Sequence, residues 1–146
     1  MTTDKVTLTT LVAAPPKEAF EAFTQEIDTW WRRGPRYRSD TAASVIRFEN
    51  DRLVEVTGDG ARTLGRISAW EPGSRLVLEW LGTGLAASDN TEVEVRFDPH
   101  GAGTRVTVEH RGWTGLQAGD ARSGAIGLWW GDLLATYQHR LAAMAR

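Results

Sequence analysis

Between residues 43 and 113 the chain is cut repeatedly by short clusters of Gly, Asn, Asp and Pro, and each interval is rich in β-branched and apolar residues. The intervals are ASVIRFE (43–49), RLVEVT (52–57), ARTLGRISAW (61–70), SRLVLEWL (74–81), TEVEVRFD (91–98) and GTRVTVEHRGW (103–113). Their separators are Asn50-Asp51, Gly58-Asp59-Gly60, Glu71-Pro72-Gly73, the longer Gly82–Asn90, and Pro99-His100-Gly101-Ala102. Short turns of this chemistry join antiparallel neighbours, so the pattern predicts a meander of six strands.

The flanks complete the layout. Residues 5–13 (KVTLTTLVA) put Val6, Leu8, Thr10 and Val12 on one face, which predicts a further strand. Pro15-Pro16 ends it and suits a first helical turn. Phe20, Phe23, Ile27 and Trp30/Trp31 then recur at helical spacing, with Thr24-Gln25 a break between two short helices. Residues 32–41 (RRGPRYRSDT) predict a loop. After Trp113 a polar stretch leads to a helix over about 120–145, with Asp120 or Ser123 as N-cap candidates. Ile126, Trp130, Leu133, Leu134, Tyr137, Leu141 and Met144 form its apolar stripe. The order is strand, helices, six strands, long helix. We therefore expect an α+β fold, a curved antiparallel sheet wrapped around one terminal helix.

In the last two strands Val93, Val95 and Phe97 oppose Glu92, Glu94 and Arg96, and Val106, Val108 and His110 oppose Arg105, Thr107, Glu109 and Arg111. One face is thus buried and the other solvated. Strands 61–70 and 74–81 are apolar on both parities, which leaves open whether Ile67 or Trp70 points inward.

Composition narrows the function classes. At 146 residues, one domain spanning 1–146 buries about two-thirds of its unfolded surface, enough for a core without staples. The absence of Cys excludes disulfides, thiolate catalysis, Fe–S clusters and zinc-cysteine sites. Seventeen Lys+Arg against nineteen Asp+Glu leave a net charge of −2, no field for nucleic acid. The polar start and the lack of a long apolar run argue against a signal peptide or membrane span, and a cytoplasmic domain is expected. Seven Trp are unusual, four of them as Trp30-Trp31 and Trp129-Trp130. Each could be core filling, but two adjacent pairs near helix ends better suit the wall of an apolar cavity.

Signals for chemistry are sparse. There is no G-x-S-x-G, and Gly58-x-Gly60 sits in a hairpin turn with no following helix. His100, His110 and His139 fall in a turn, a strand and a helix without metal-ligand spacing, so neither metal nor cofactor is expected. His110 reads first as a core imidazole bonded to backbone, then as a polar handle in a ligand cavity, and last as a general acid or base. Glu55, Arg47 and Arg66 either point inward, where they need partners or water, or face solvent. Arg32, Arg33, Arg36 and Arg38, flanked by Asp28 and Asp40, read as a solvated loop before an anion-facing pocket lip.

Several segments carry a resemblance. They are Ala14-Pro15-Pro16-Lys17-Glu18-Ala19-Phe20, the Trp30-Trp31 pair, Gly65-Arg66-Ile67 through Glu71-Pro72 to Arg75–Trp80, Thr91–Phe97, Gly103–Trp113, and Trp129/Trp130-Gly131-x-Leu133-Leu134. Taken in order they resemble the START-like, or SRPBCC, superfamily, and within it the bacterial branch of the family named for activators of the ATPase of the 90-kDa heat-shock protein. The resemblance implies a helix-grip fold: a curved seven-strand antiparallel sheet around a long C-terminal helix, with two short helices after strand 1 and an internal cavity. It implies no fixed catalytic motif, and relatives include carriers and cyclases. The extra N-terminal domain of the chaperone-activating members has no counterpart in this sequence.

The resulting expectation is a domain that binds a small hydrophobic molecule and sequesters it. Trp80, His110, Trp113, Trp130 and Tyr137 would line the site with Leu78 and Leu134, and Trp30 and Trp31 would stand near its mouth. The competing readings are a cyclase- or dehydratase-like enzyme using His110 and a co-chaperone-type interaction domain. A homodimer is left open, and no nucleic-acid or membrane partner is expected.

Overall fold

The computed structural model describes residues 5–38, 43–81, 91–113, 116 and 119–144. Strand β1 (Lys5–Val12) is followed by α1 (Pro16–Thr24) and α2 (Ile27–Trp30). Six strands then run in series: β2 (Val45–Glu49), β3 (Arg52–Thr57), β4 (Gly60–Glu71), β5 (Arg75–Trp80), β6 (Thr91–His100) and β7 (Gly103–Arg111). Helix α3 (Gly119–Met144) closes the chain. All neighbours are antiparallel in one seven-stranded sheet of order β1-β7-β6-β5-β4-β3-β2.

Turn chemistry explains the meander. Asn50 and Asp51 both take left-handed backbone, φ 50° and 61°, as a two-residue turn twisted to match its strands requires. Gly73, at φ 76°, follows Pro72 in the pairing that a type II turn selects. The β6–β7 turn is tighter than its sequence suggests, because Pro99 and His100 still pair with Thr104 and Gly103. Helix α3 starts at Gly119, so Asp120 lies in its first turn and Ser123 is a buried residue of the second turn; neither is the N-cap.

Register decides which side chains enter the core, since directly opposed residues share a face. Leu76, Leu78 and Trp80 stand opposite Val95, Val93 and Thr91, and Val93, Val95 and Phe97 stand opposite His110, Val108 and Val106. The ambiguity in β4 resolves in favour of both residues. A bulge between Ile67 and Ala69 sets Ile67 opposite Leu78 and Trp70 opposite Leu76, so both face inward although their parities differ. On the other face the like-charged Glu94 and Glu109 are directly opposed, and Arg96 and Arg111 each bridge the two.

Across the inward face lies α3. Ile126, Trp130, Leu133, Leu134, Tyr137 and Leu141 are all buried, as the stripe predicts; the side chain of Met144 lies outside the described residues. Close approach to β1 depends on two glycines. A Cβ on Gly127 would meet Val6 Cγ1 at 2.9 Å, and one on Gly131 would meet Leu8 Cδ2 at 3.5 Å. No helix among the described residues is long and apolar enough to cross a membrane.

Gly103 is tighter still, because a Cβ there would sit 2.3 Å from the Val12 carbonyl oxygen, backbone that cannot swing aside. Gly103→Ala is expected to cost about 1–3 kcal/mol in urea unfolding. Gly58→Ala, with nothing within 4 Å, should be neutral or stabilising by up to ~1 kcal/mol. Similar effects of the two would contradict this packing.

Candidate functional site

The inward end of the β5–β6–β7 rows carries Trp80, Thr91 and His110, and α3 lowers Trp129 and Trp130 onto them. Trp80 packs against Trp129 and Trp130 with ring centroids 5.9 and 5.5 Å away. His110 lies 5.9 Å from Trp80 and 4.7 Å from Trp113. From α2, Trp31 approaches Trp129 and Trp130 edge-on at 5.4 and 6.2 Å. The result is a continuous aromatic cluster between sheet and helix.

The expected site residues separate into groups. Trp31, Trp80, His110, Trp113 and Trp130 come together. Tyr137 belongs to a neighbouring set: its ring meets Phe23 and Trp30, and its hydroxyl donates to the Ala19 carbonyl at 2.7 Å. Burial pushes the Tyr137 pKa up, so the phenol stays neutral. Leu78 lies on the same inward row as Trp80. Leu134 borders a pocket of about 250 Å³ between β1 and α3, and Trp30 and Trp31 border another of about 580 Å³ toward Thr136 and Arg140. Neither pocket is lined by Trp80, His110, Trp113 or Trp130.

Polar partners in the cluster are specific. Trp130 Nε1 donates to His110 Nδ1 at 3.1 Å, and His110 Nε2 lies 2.7 Å from Thr91 Oγ1. The imidazole is therefore satisfied by side chains, and the expectation of backbone partners is corrected. Burial drives its pKa down to about 3. The other buried indoles also donate: Trp30 to Ala22, Trp31 to Tyr37, Trp113 to His110 and Trp129 to Arg36, each to a carbonyl oxygen. Trp80 is the exception. Its Nε1 is buried without a partner among the described residues.

Charged residues sort differently from the sequence pattern. Arg47 and Arg66 are exposed and pair with Glu49 and Glu79, whereas Glu55 is buried and pairs with Arg62. The loop reading of the arginine run fails at Arg38, which is 2% exposed. Its guanidinium donates to Asp28 Oδ1 at 2.6 Å and to the carbonyls of Asp28, Trp31, Arg32 and Ser44. No spacing rule marks a loop arginine as the group that will satisfy four carbonyls. Thr91 is not among the residues that the sequence singles out, and Trp129 is marked there only by its pairing with Trp130. Thr91 opens a strand as an ordinary polar residue, and Trp129 falls one position off the helix stripe.

The profile of the family described as "Activator of Hsp90 ATPase homolog 1-like protein" matches residues 13–138. The chain belongs to this family. Among curated proteins none matches it. Solved structures similar to this activator-homologue chain include MLL2253 from Mesorhizobium loti, with 19% identity, TM-score 0.68, and coverage of 95% of this chain and 97% of that one. NE0264 from Nitrosomonas europaea shares 15% identity at TM-score 0.68, with 97% and 96% covered. The Aha1 dimer from Colwellia psychrerythraea shares 13% at TM-score 0.64, with 95% and 96% covered. Identities this low establish the helix-grip fold of the activator-homologue family and leave function to the site.

Proposed function

We propose that the protein binds a small hydrophobic molecule between the concave sheet and α3 and sequesters it. The observation that carries this reading is the convergence of Trp80, Trp113 and Trp130 on one titratable group that is held neutral, with Trp31 and Trp129 packed against those indoles. Aromatic walls with a few oriented polar atoms are the usual composition of a ligand site. Fold membership supports it, since the helix-grip commonly hosts hydrophobic ligands. His110 does not favour the enzymatic alternative: both ring nitrogens are engaged, and a group with a pKa of about 3 is poorly matched to proton transfer near neutral pH. The proposed setting is cytoplasmic. Self-association like that of the Colwellia dimer is a separate proposal, testable by sedimentation.

The test uses N-phenyl-1-naphthylamine as a hydrophobic probe. It should quench tryptophan fluorescence, and Trp130→Ala should weaken its binding about tenfold or more. Trp70→Ala should change it little, because Trp70 is 40% exposed and packs on Phe20 and Phe48, outside the cluster. Equal effects of the two substitutions, or no quenching by the probe, would overturn the reading. Native mass spectrometry of protein from its own host should show a co-purified small molecule.

A further inference from the structure

Resting on that reading, one rung of the sheet holds hydrogen-bond donors that the fold leaves unspent. Trp80 and Thr91 are direct cross-strand partners at the end of the β5–β6 ladder. Their side chains share the inward face, with Cβ atoms ~4.5–5.5 Å apart in such pairs. Both touch His110, Trp80 through its ring and Thr91 through its hydroxyl. Both are buried, at 1% and 3% exposure.

The protons can be assigned by elimination. An indole nitrogen only donates, so His110 Nδ1, which receives the Trp130 N–H, must carry a lone pair. The neutral ring then has its hydrogen on Nε2 and donates it to Thr91 Oγ1. Thr91 is thus an acceptor toward His110, and its own O–H still points elsewhere. No acceptor for that hydrogen exists among the described residues. Trp80 Nε1–H is the second such donor. A buried polar hydrogen without an acceptor costs about 1–3 kcal/mol, so two on adjacent residues mark a place where an acceptor belongs.

We propose that Trp80 Nε1–H and Thr91 Oγ1–H form a two-donor site for one carbonyl oxygen of the ligand. An sp² oxygen has two lone pairs, one for each donor. The groups around it are indoles, a hydroxyl and an imidazole already committed on both nitrogens. No cation in that set would compensate a buried carboxylate. The ligand class is therefore an uncharged apolar molecule bearing a ketone, quinone or ester carbonyl. Trp130 and His110 act as positioning residues that turn the Thr91 hydroxyl hydrogen outward.

The experiment compares acetophenone with α-methylstyrene, which replaces C=O by C=CH2 at nearly the same shape. Titrations of ¹⁵N-labelled protein follow the indole N–H signals, with Trp80 assigned from Trp80→Phe. Acetophenone should move the Trp80 signal downfield and bind about tenfold more tightly than α-methylstyrene, the worth of two modest hydrogen bonds. Thr91→Val, which keeps the shape, and Trp80→Phe should each reduce the ratio of the two affinities about threefold, whatever the change in α-methylstyrene binding itself. Equal binding of both probes, or a preference that survives both substitutions, would overturn the carbonyl site while the reading as a hydrophobic binder stands. If neither probe perturbs any indole of the cluster, the cavity reading and the carbonyl site fall together.

Discussion

Acidification from pH 6.5 to about 3 should remove on the order of 5 kcal/mol of folding stability through His110 alone, at about 1.4 kcal/mol per unit of pKa difference. The sign follows from proton counting. An unfolded chain takes a proton on this imidazole near pH 6.5, whereas the folded chain refuses it until about pH 3. Within that window the unfolded state binds more protons, so stability rises with pH and falls on acidification. The physical cause is burial among Trp80, Trp113 and Trp130, with Glu92 and Glu109 on the opposite parity of their strands and no carboxylate among the described residues facing the ring. Urea midpoints measured between pH 7 and 4.5 isolate the effect. Asp28 and Glu94 are each raised by burial but lowered more by hydrogen bonds and neighbouring arginines, to net values below the ordinary range. Their stabilisation is present above the unfolded pKa and is lost only toward their own lower values, below about pH 4. His110→Gln should be less stable at pH 7 and show a flatter slope over the same range. Parallel slopes for the two proteins would show that the imidazole is not held neutral.

Arg38→Ala should cost about 3–5 kcal/mol, because it strips the buried guanidinium from four carbonyls as well as from the partly exposed Asp28 carboxylate. The arginine draws four carbonyls and one carboxylate around a single planar fork, and it ties α2 and the following loop to the residue just before β2. Arg38→Lys should recover little, since a single ammonium has three donors and no fork. Alongside the unfolding curve, ¹³C titration should show the Asp28 carboxyl rising from its depressed value in the alanine variant. A loss under ~1 kcal/mol would mean that solvent replaces the staple. Because Trp31 lies between this staple and the aromatic cluster, Arg38→Ala should also loosen the Trp31–Trp129 contact.

Much of the architecture is legible along the chain because it depends on near neighbours. Turn residues cut the meander where the turns occur, Thr24-Gln25 separates α1 from α2, and the stripe from Ile126 to Leu141 gives the face that α3 buries. Alternation likewise places Trp80 and His110 inward. It works wherever strands keep a strict period of two, and it stops working in β4, where one extra residue lets Ile67 and Trp70 share a face.

The site is less legible, for a reason that the named residues make plain. Residue type and local spacing by themselves determined the antiparallel meander, the helix after it and the inward rows, since these follow from backbone periodicity and turn geometry. Tertiary structure alone decided that Arg38 is interior, that Tyr137 serves α1 rather than the cluster, and that Thr91 stands beside Trp80. Hydrogen-bond satisfaction is a property of groups brought together from distant parts of the chain. Trp130 reaches across 20 residues to set the tautomer of His110, and His110 reaches across 19 to set the hydroxyl of Thr91. Periodicity can say which way a side chain points, but the partner it meets there depends on three-dimensional register and packing.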